Sequence, residues 1–384
     1  MDRLCRGLKT VLKLLLLTCL LFLAGCQSLG YYSQLVEGQW SVWWQRQAID
    51  SLLNDSATEP SLKARLHNVK AIRQYAVDGL FLPDNDSYRY FADLKRPFVV
   101  WNVFATEEFS VEGKRWCFPV AGCVSYRGYF TEKAAKDYAG LLDLEGYDTY
   151  VAGIKAYSTL GWFGDPVLNT FLYQDEVRLA GLIFHELAHQ LVYVAGDTEF
   201  NESFATTVEI TGISRWLGHR EAVRAGSSDT SSNEHISGRE IREKYLRNEA
   251  IHQDFVKMIL STRSELDQLY SGKSAEGMSI PELREEKQNI LSHLIAEDYS
   301  NFKARWNNYA QYDKWVTGGA SSSLSLNNAK LSTVYSYQKW VPVFQMLLAS
   351  CDNRLTCFYN EVKRVSLLRD DQRLQYMQDL ADST

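Results

Sequence analysis

Apolar residues recur at three- and four-residue steps from Val177 through Leu179, Leu182, Ile183, Leu187 and Leu191 to Val192, and no Pro or Gly falls between Leu182 and Ala195. That period belongs to a helix with one apolar face. Gly196 and Asp197 read as its stop and turn, and a second helix is predicted to begin near Thr198–Asn201 and continue through Ala205, Val208 and Ile210. Residues 27–80 also carry helical stripes: Trp40, Trp43, Trp44, Ile49, Leu52 and Leu53, then Leu62, Leu66, Val69, Ile72 and Tyr75. These predict a packed helical hairpin, with the tryptophans facing a core in preference to the alternative, a membrane surface. Pro83 to Asp93 reads as a polar connection. Pro97–Ala105, Lys114–Cys117, Val120–Tyr129 and Thr149–Thr159 have the β-branched and aromatic content of strands. Thr131 opens a capped helix to Leu142. Arg239–Leu269 and Pro281–Trp306 predict a long, mixed-charge helical hairpin, and Phe344–Leu380 further helices. The pattern as a whole predicts an α+β chain, mostly helical, with a small mixed sheet beside the helix near residue 185. It divides into an N-terminal helical region (26–95), a central region (96–220), a hairpin insert (221–310) and a C-terminal helical region (311–384).

The central helix carries chemistry. His185-Glu186-Leu187-Ala188-His189 is H-E-x-x-H. Residues four apart share a helix face, so both imidazoles aim at one point, as two zinc ligands must. Glu186 lies about 100° round the helix, off the ligand positions, where it serves as general base. Catalytic zinc takes three protein ligands and keeps one position for water. The metzincin continuation is excluded, because Val192 and Ala195 stand where its Gly and third His belong. Glu202, early in the second helix, is the better third ligand, and Asp197 is the alternative.

Composition adds a compartment. Arg3, Arg6, Lys9 and Lys13 precede a nearly unbroken apolar run from Val11 to Leu23, the layout of a secretory signal over residues 1–25. The run is shorter than the ~20 residues a spanning helix needs. Its end, Leu23-Ala24-Gly25-Cys26, resembles the bacterial lipobox, which implies a lipid on Cys26 and a membrane-anchored mature chain. Losing residues 1–25 removes four basic residues and Asp2, moving the formal charge from −6 to −9. So acidic a chain is unsuited to nucleic acid. Four cysteines then remain beside Cys26, in two close pairs, Cys117 with Cys123 and Cys351 with Cys357. In an oxidising compartment these predict two small-loop disulfides; without C-x-x-C spacing, metal binding is the lesser alternative. The Ser-rich stretch Gly226–Gly238, with His235, reads as a surface loop.

The pair of motifs, H-E-x-x-H and Asn201-Glu202-Ser203-Phe204-Ala205, resembles the gluzincin metallopeptidases, whose aminopeptidases carry N-E-x-F-A. The gap of twelve residues (190–201) is shorter than theirs. The chain more closely resembles a bacterial family of zinc aminopeptidases with a lipoprotein signal, through Ala156–Phe163, the helix pair, Asn327-Asn328-Ala329 and Tyr337-x-x-Trp340-Val341-Pro342. The resemblance implies one zinc held by His185, His189 and Glu202, a peptide substrate, and a Gram-negative outer-membrane site facing the periplasm. It implies an edge strand at Tyr157-Ser158-Thr159 that pairs with substrate, and an oxyanion-binding tyrosine, Tyr337 first and Tyr335 second. Thr206 stands where related peptidases often have an Asp bonded to a zinc histidine; Glu209 could serve the zinc sphere from outside, with a solvated surface residue the favoured reading. Carboxylates for a substrate's α-amine are not singled out among Glu107, Glu108, Glu176 and Glu199. An endopeptidase, or a non-catalytic lipoprotein that binds a protein partner, is the alternative reading.

Overall fold

The computed structural model describes residues 30–118, 121–226, 238–271, 277–318 and 326–382. The signal segment, Cys26 and His235 lie outside them. In chain order, helix α1 covers residues 30–44. Strand β1 (Gln47–Ala48), α2 (Ile49–Asn54), α3 (Pro60–Asp78), β2 (Tyr90–Ala92) and β3 (Val100–Glu107) follow. Next come β4 (Trp116–Phe118), β5 (Gly122–Val124), β6 (Arg127–Tyr129), α4 (Glu132–Leu144), β7 (Tyr147–Ile154), β8 (Val167–Leu168) and α5 (Asn169–Leu172). The remainder is helical: α6 (Glu176–Leu191), α7 (Thr198–Gly226), α8 (Gly238–Ser271), α9 (Ile280–His293), a π turn (Leu294–Asp298), α10 (Tyr299–Arg305) and α11 (Asp313–Thr317). Helices α12 (Asn328–Gln338), α13 (Val341–Ser350), α14 (Leu355–Ser366) and α15 (Asp370–Asp382) close the chain. The α+β, mostly helical class read from the pattern is the class observed.

The sheet that matters to the site is antiparallel, in the order β6-β3-β7, with Trp101 opposite Tyr129 and Val100 opposite Ile154. Alternation along a strand assigns its two faces. Trp101, Val103, Ala105 and Tyr129 pack on Ala135, Ala139 and Leu142 of α4, which Thr131 caps by accepting the Ala134 amide at 3.3 Å. Val100, Asn102, Gly128 and Ile154 face the other way, into a cavity. The polar connection expected at Pro83–Asp93 instead ends in β2, which joins β1 and β8 in a second small sheet.

Two stretches depart from the sequence pattern. The tryptophan stripe breaks after residue 44, and the buried face of α1 is Tyr31 and Val42, with Leu35 packed against the core. Trp40, Trp43 and Trp44 are 59%, 41% and 73% exposed, so the predicted core face of this helix is its outer face. The strand expected to reach Thr159 ends at Ile154, because the chain beyond it is drawn to Asp165. Thr159 donates its amide and its hydroxyl to that carboxylate, at 3.0 and 2.6 Å.

Helices α6 and α7 cross closely because each contributes a glycine. A Cβ on Gly181 would stand 2.7 Å from Ile213, and one on Gly212 would stand 2.7 Å from Phe184 and 2.8 Å from Leu80. Gly212→Val would overpack this crossing and is expected to lower stability by about 1–3 kcal/mol, read from denaturant unfolding. An unchanged midpoint would show that the crossing has slack.

Candidate metal centre

The crossing brings the two motifs face to face. Capped by Asp175, whose side chain accepts the Arg178 amide at 3.0 Å, α6 presents His185 and His189 from one face. The connection back to α7 is built by the other residues of the second motif. Asn201 accepts from the Val194 amide at 2.8 Å and donates to the Val194 carbonyl at 2.7 Å, closing the turn in which Gly196 takes φ +88°. Ser203 accepts from the Trp340 amide at 3.1 Å and donates to the Tyr337 carbonyl at 3.4 Å, fastening the end of α12 to α7. Phe204 is fully buried. Glu202 is thereby held still, facing α6.

A Glu202 carboxylate oxygen lies 3.3 Å from His185 Nε2 and 3.6 Å from His189 Nε2. One donor atom from each of His185, His189 and Glu202 falls within 4.8 Å of the others, a group that could hold a metal ion. Asp197 is not part of it. It caps α7 by accepting the Phe200 amide at 3.1 Å and pairs with Arg373 at 2.7 Å.

Glu209 belongs to the site. Its carboxylate lies 3.0 Å from His185 Nδ1, where the surface reading had placed nothing. Residues 202 and 209 are seven apart, two turns of α7, so both carboxylates point from the same face. Thr206, between them, makes no side-chain hydrogen bond to either histidine among the described residues; His185 is bonded to Glu202 and Glu209. A carboxylate on the far nitrogen of a ligand histidine fixes its tautomer and ring orientation. His189 has no such partner: its Nδ1 is buried without a hydrogen bond among the described residues.

The charges around this point fit a cation. Three carboxylates, Glu186, Glu202 and Glu209, surround two imidazoles in a largely buried place. Burial opposes charge on His185, but the bonds to Glu202 and Glu209 outweigh it and hold the imidazole well above its ordinary range. Burial also opposes charge on Glu202, and the adjacent His189 and His185 overcome it, bringing the carboxyl down to about 2. Without such imidazole partners at bonding distance, Glu186 goes the other way. Burial pushes it up to about 7, with His185 and His189 pulling down and Glu202 pushing up. Excess buried negative charge of this kind is costly unless a positive ion balances it.

A cavity of about 580 Å³ opens over the group, lined by His185, Glu186, His189 and Glu202 and walled chiefly by aromatic and aliphatic side chains. Tyr337 lines it and stacks on His185, ring centroids 6.3 Å apart. The negative charge of Glu202, with burial, holds the Tyr337 phenol well above its ordinary pKa, so its hydroxyl stays a donor. Tyr335 turns away, under Arg263 at 3.6 Å. Tyr126 and Tyr193 also line the cavity; neither was singled out by sequence, since 22 tyrosines give no pattern to choose from.

Of the expected edge strand, Tyr157 and Ser158 line the cavity from irregular chain outside any strand, while Thr159 faces Asp165. The opposite wall is the β4–β5 hairpin, closed by the Cys117–Cys123 disulfide. Gly122 has φ +73°, and a Cβ there would stand 2.5 Å from the Gly196 nitrogen, so glycine lets the hairpin rest on the α6–α7 turn. The second pair, Cys351 and Cys357, joins α13 to α14. The four carboxylates considered for amine binding are absent from the cavity wall. Glu108 pairs with Arg284 and Glu176 with Arg220, and among the described residues the lining carboxylates are Glu186 and Glu202.

A family model described as "Putative aminopeptidase" matches residues 30–377. No curated protein and no solved structure matches the chain.

Proposed function

The chain belongs to the aminopeptidase family that this model describes, and from that premise we propose that it is a zinc-dependent peptidase whose centre is His185, His189 and Glu202. The observation that carries the reading is the convergence of those three donors beside the half-buried Glu186, which lines the same cavity. Two imidazoles and one carboxylate are the donor set of thermolysin-like zinc sites. When bound, the ion supplies Lewis-acid polarisation of the scissile carbonyl and an acidified water.

The chain's own residues do the rest. Glu186 takes the proton of the attacking water and delivers it to the departing amine. Tyr337 donates to the oxygen that gains charge as the carbonyl carbon becomes tetrahedral. Tyr157 and Ser158 contact the peptide, and the apolar walls exclude water and hold an apolar side chain. Glu209 keeps His185 in register. Glu209→Ala is therefore expected to weaken metal affinity about 10–100-fold in competition with a chelator; unchanged affinity would leave Glu209 without a role at the metal.

Removal of single N-terminal residues is the reading the family name favours. A second reading, internal cleavage, is favoured by the cavity wall, which offers no carboxylate for an α-amine beyond Glu186 and Glu202 among the described residues. Digestion of a mixed peptide library separates them. Loss of single residues from N-termini supports the aminopeptidase, internal cuts support the endopeptidase, and no cleavage by the metal-loaded chain contradicts both. The chain is further proposed to act at the cell envelope, on the periplasmic side of an outer membrane, anchored by lipid on Cys26.

A further inference from the structure

The outer face of α1 is unlike the surface of a helix bathed in water. Tyr32, Val36, Trp40 and Trp44 follow one another at four-residue steps, Trp43 lies three after Trp40, and all are exposed, Val36 at 67%. The three indoles lie against each other, with ring centroids 5.6 to 6.5 Å apart. Glu37 is the one charged residue between 30 and 44. A second segment extends the patch: Trp162 and Phe163 are 72% and 57% exposed. Arg46 joins the two, donating to the Phe163 carbonyl at 2.8 Å and lying over the Trp43 ring at 4.9 Å.

We propose that this face rests on a lipid bilayer at the level of the headgroups. Three observations select that occupant. Tryptophan is the side chain suited to the bilayer interface, apolar in body with one polar N–H. Cys26, the residue read as lipid-bearing, precedes α1 by four residues, so a lipid there would set the helix beside the membrane. The patch is nearly free of charge on an acidic chain, so attraction between charges does not drive the contact. No helix among the described residues is long and apolar enough to cross a membrane, so the contact is peripheral.

The placement has a consequence for the site. Tyr31, Leu35 and Gln39 of the same helix, with Tyr32 at the edge of the patch, line the cavity above the metal-binding group. Docking would hold that cavity about one helix diameter, ~10 Å, from the bilayer, within reach of peptides at the membrane surface.

The test uses the chain from residue 26 with Cys26→Ser, so that no lipid contributes, and vesicles of phosphatidylethanolamine and phosphatidylglycerol. The unaltered face is expected to bind vesicles in flotation, with indole emission quenched by brominated acyl chains and little loss of binding in high salt. Trp40→Ser, Trp43→Ser and Trp44→Ser together are expected to lower the partition constant by about tenfold or more, with the circular dichroism spectrum unchanged. Absent binding, or equal binding by the variant, overturns the proposal. So does binding abolished by salt, or a dimer in sedimentation that the triple substitution dissociates. The quenching needs no variant and decides the question if the substituted chain does not fold.

Discussion

Glu186→Gln is expected to lower kcat by about 10²–10⁴-fold while leaving the metal bound and the fold intact. The amide keeps the size of the carboxyl and fits the same place on the cavity wall. It cannot take a proton from water or return one to the leaving amine. Glu186 is not among the three converging donors, so metal content should stay at one per chain. Burial already raises its pKa to about 7, which favours a neutral group at this position and makes the amide well tolerated. Stopped-assay kinetics on the metal-loaded variant check the expectation. Activity within a few-fold of the unaltered chain would remove Glu186 from the chemistry, and loss of metal would make it a ligand instead.

The second large effect is expected from Glu202→Gln. This carboxylate is the donor that α7 aims between both imidazoles, 3.3 and 3.6 Å away. An amide there offers a neutral oxygen to a cation that needs a charged one, so metal content after dialysis should fall from one per chain to near zero. Stability should follow. An ion bound only by the folded chain adds about 4 kcal/mol when present at ~1,000 times its dissociation constant. A chelator should therefore lower the Tm of the unaltered chain and leave that of Glu202→Gln unmoved. A chelator response of equal size in both would place the metal elsewhere.

The parts of this account that the sequence made legible are those governed by one element's period. His185 and His189 share a face by their spacing alone, and Glu202 followed from the need for a third donor on the next helix. The local cysteine pairs needed only their separation. Glu209 was legible as a residue able to serve the zinc sphere, two turns on from Glu202, but the surface reading was preferred to it, because its contact with His185 depends on a helix crossing made close by Gly181 and Gly212, which is tertiary. The stripe at Trp40, Trp43 and Trp44 misled for a physical reason. An apolar stripe marks a face that avoids water, and it does not say whether a core or some other surface covers it. The strand beyond Ile154 was overextended because β-type residues continue to Thr159, while the buried Asp165 captures the chain there. Tyr337 came from a resemblance, and its place in the cavity wall and its stacking on His185 separate it from Tyr335.

The most direct test of the central claim is anomalous scattering from crystals of the purified chain, collected on both sides of the zinc edge. A single peak is expected about 2.0–2.2 Å from Nε2 of His185, Nε2 of His189 and a carboxylate oxygen of Glu202. A chain without metal, or a peak that leaves any of these three residues uncoordinated, would contradict the account.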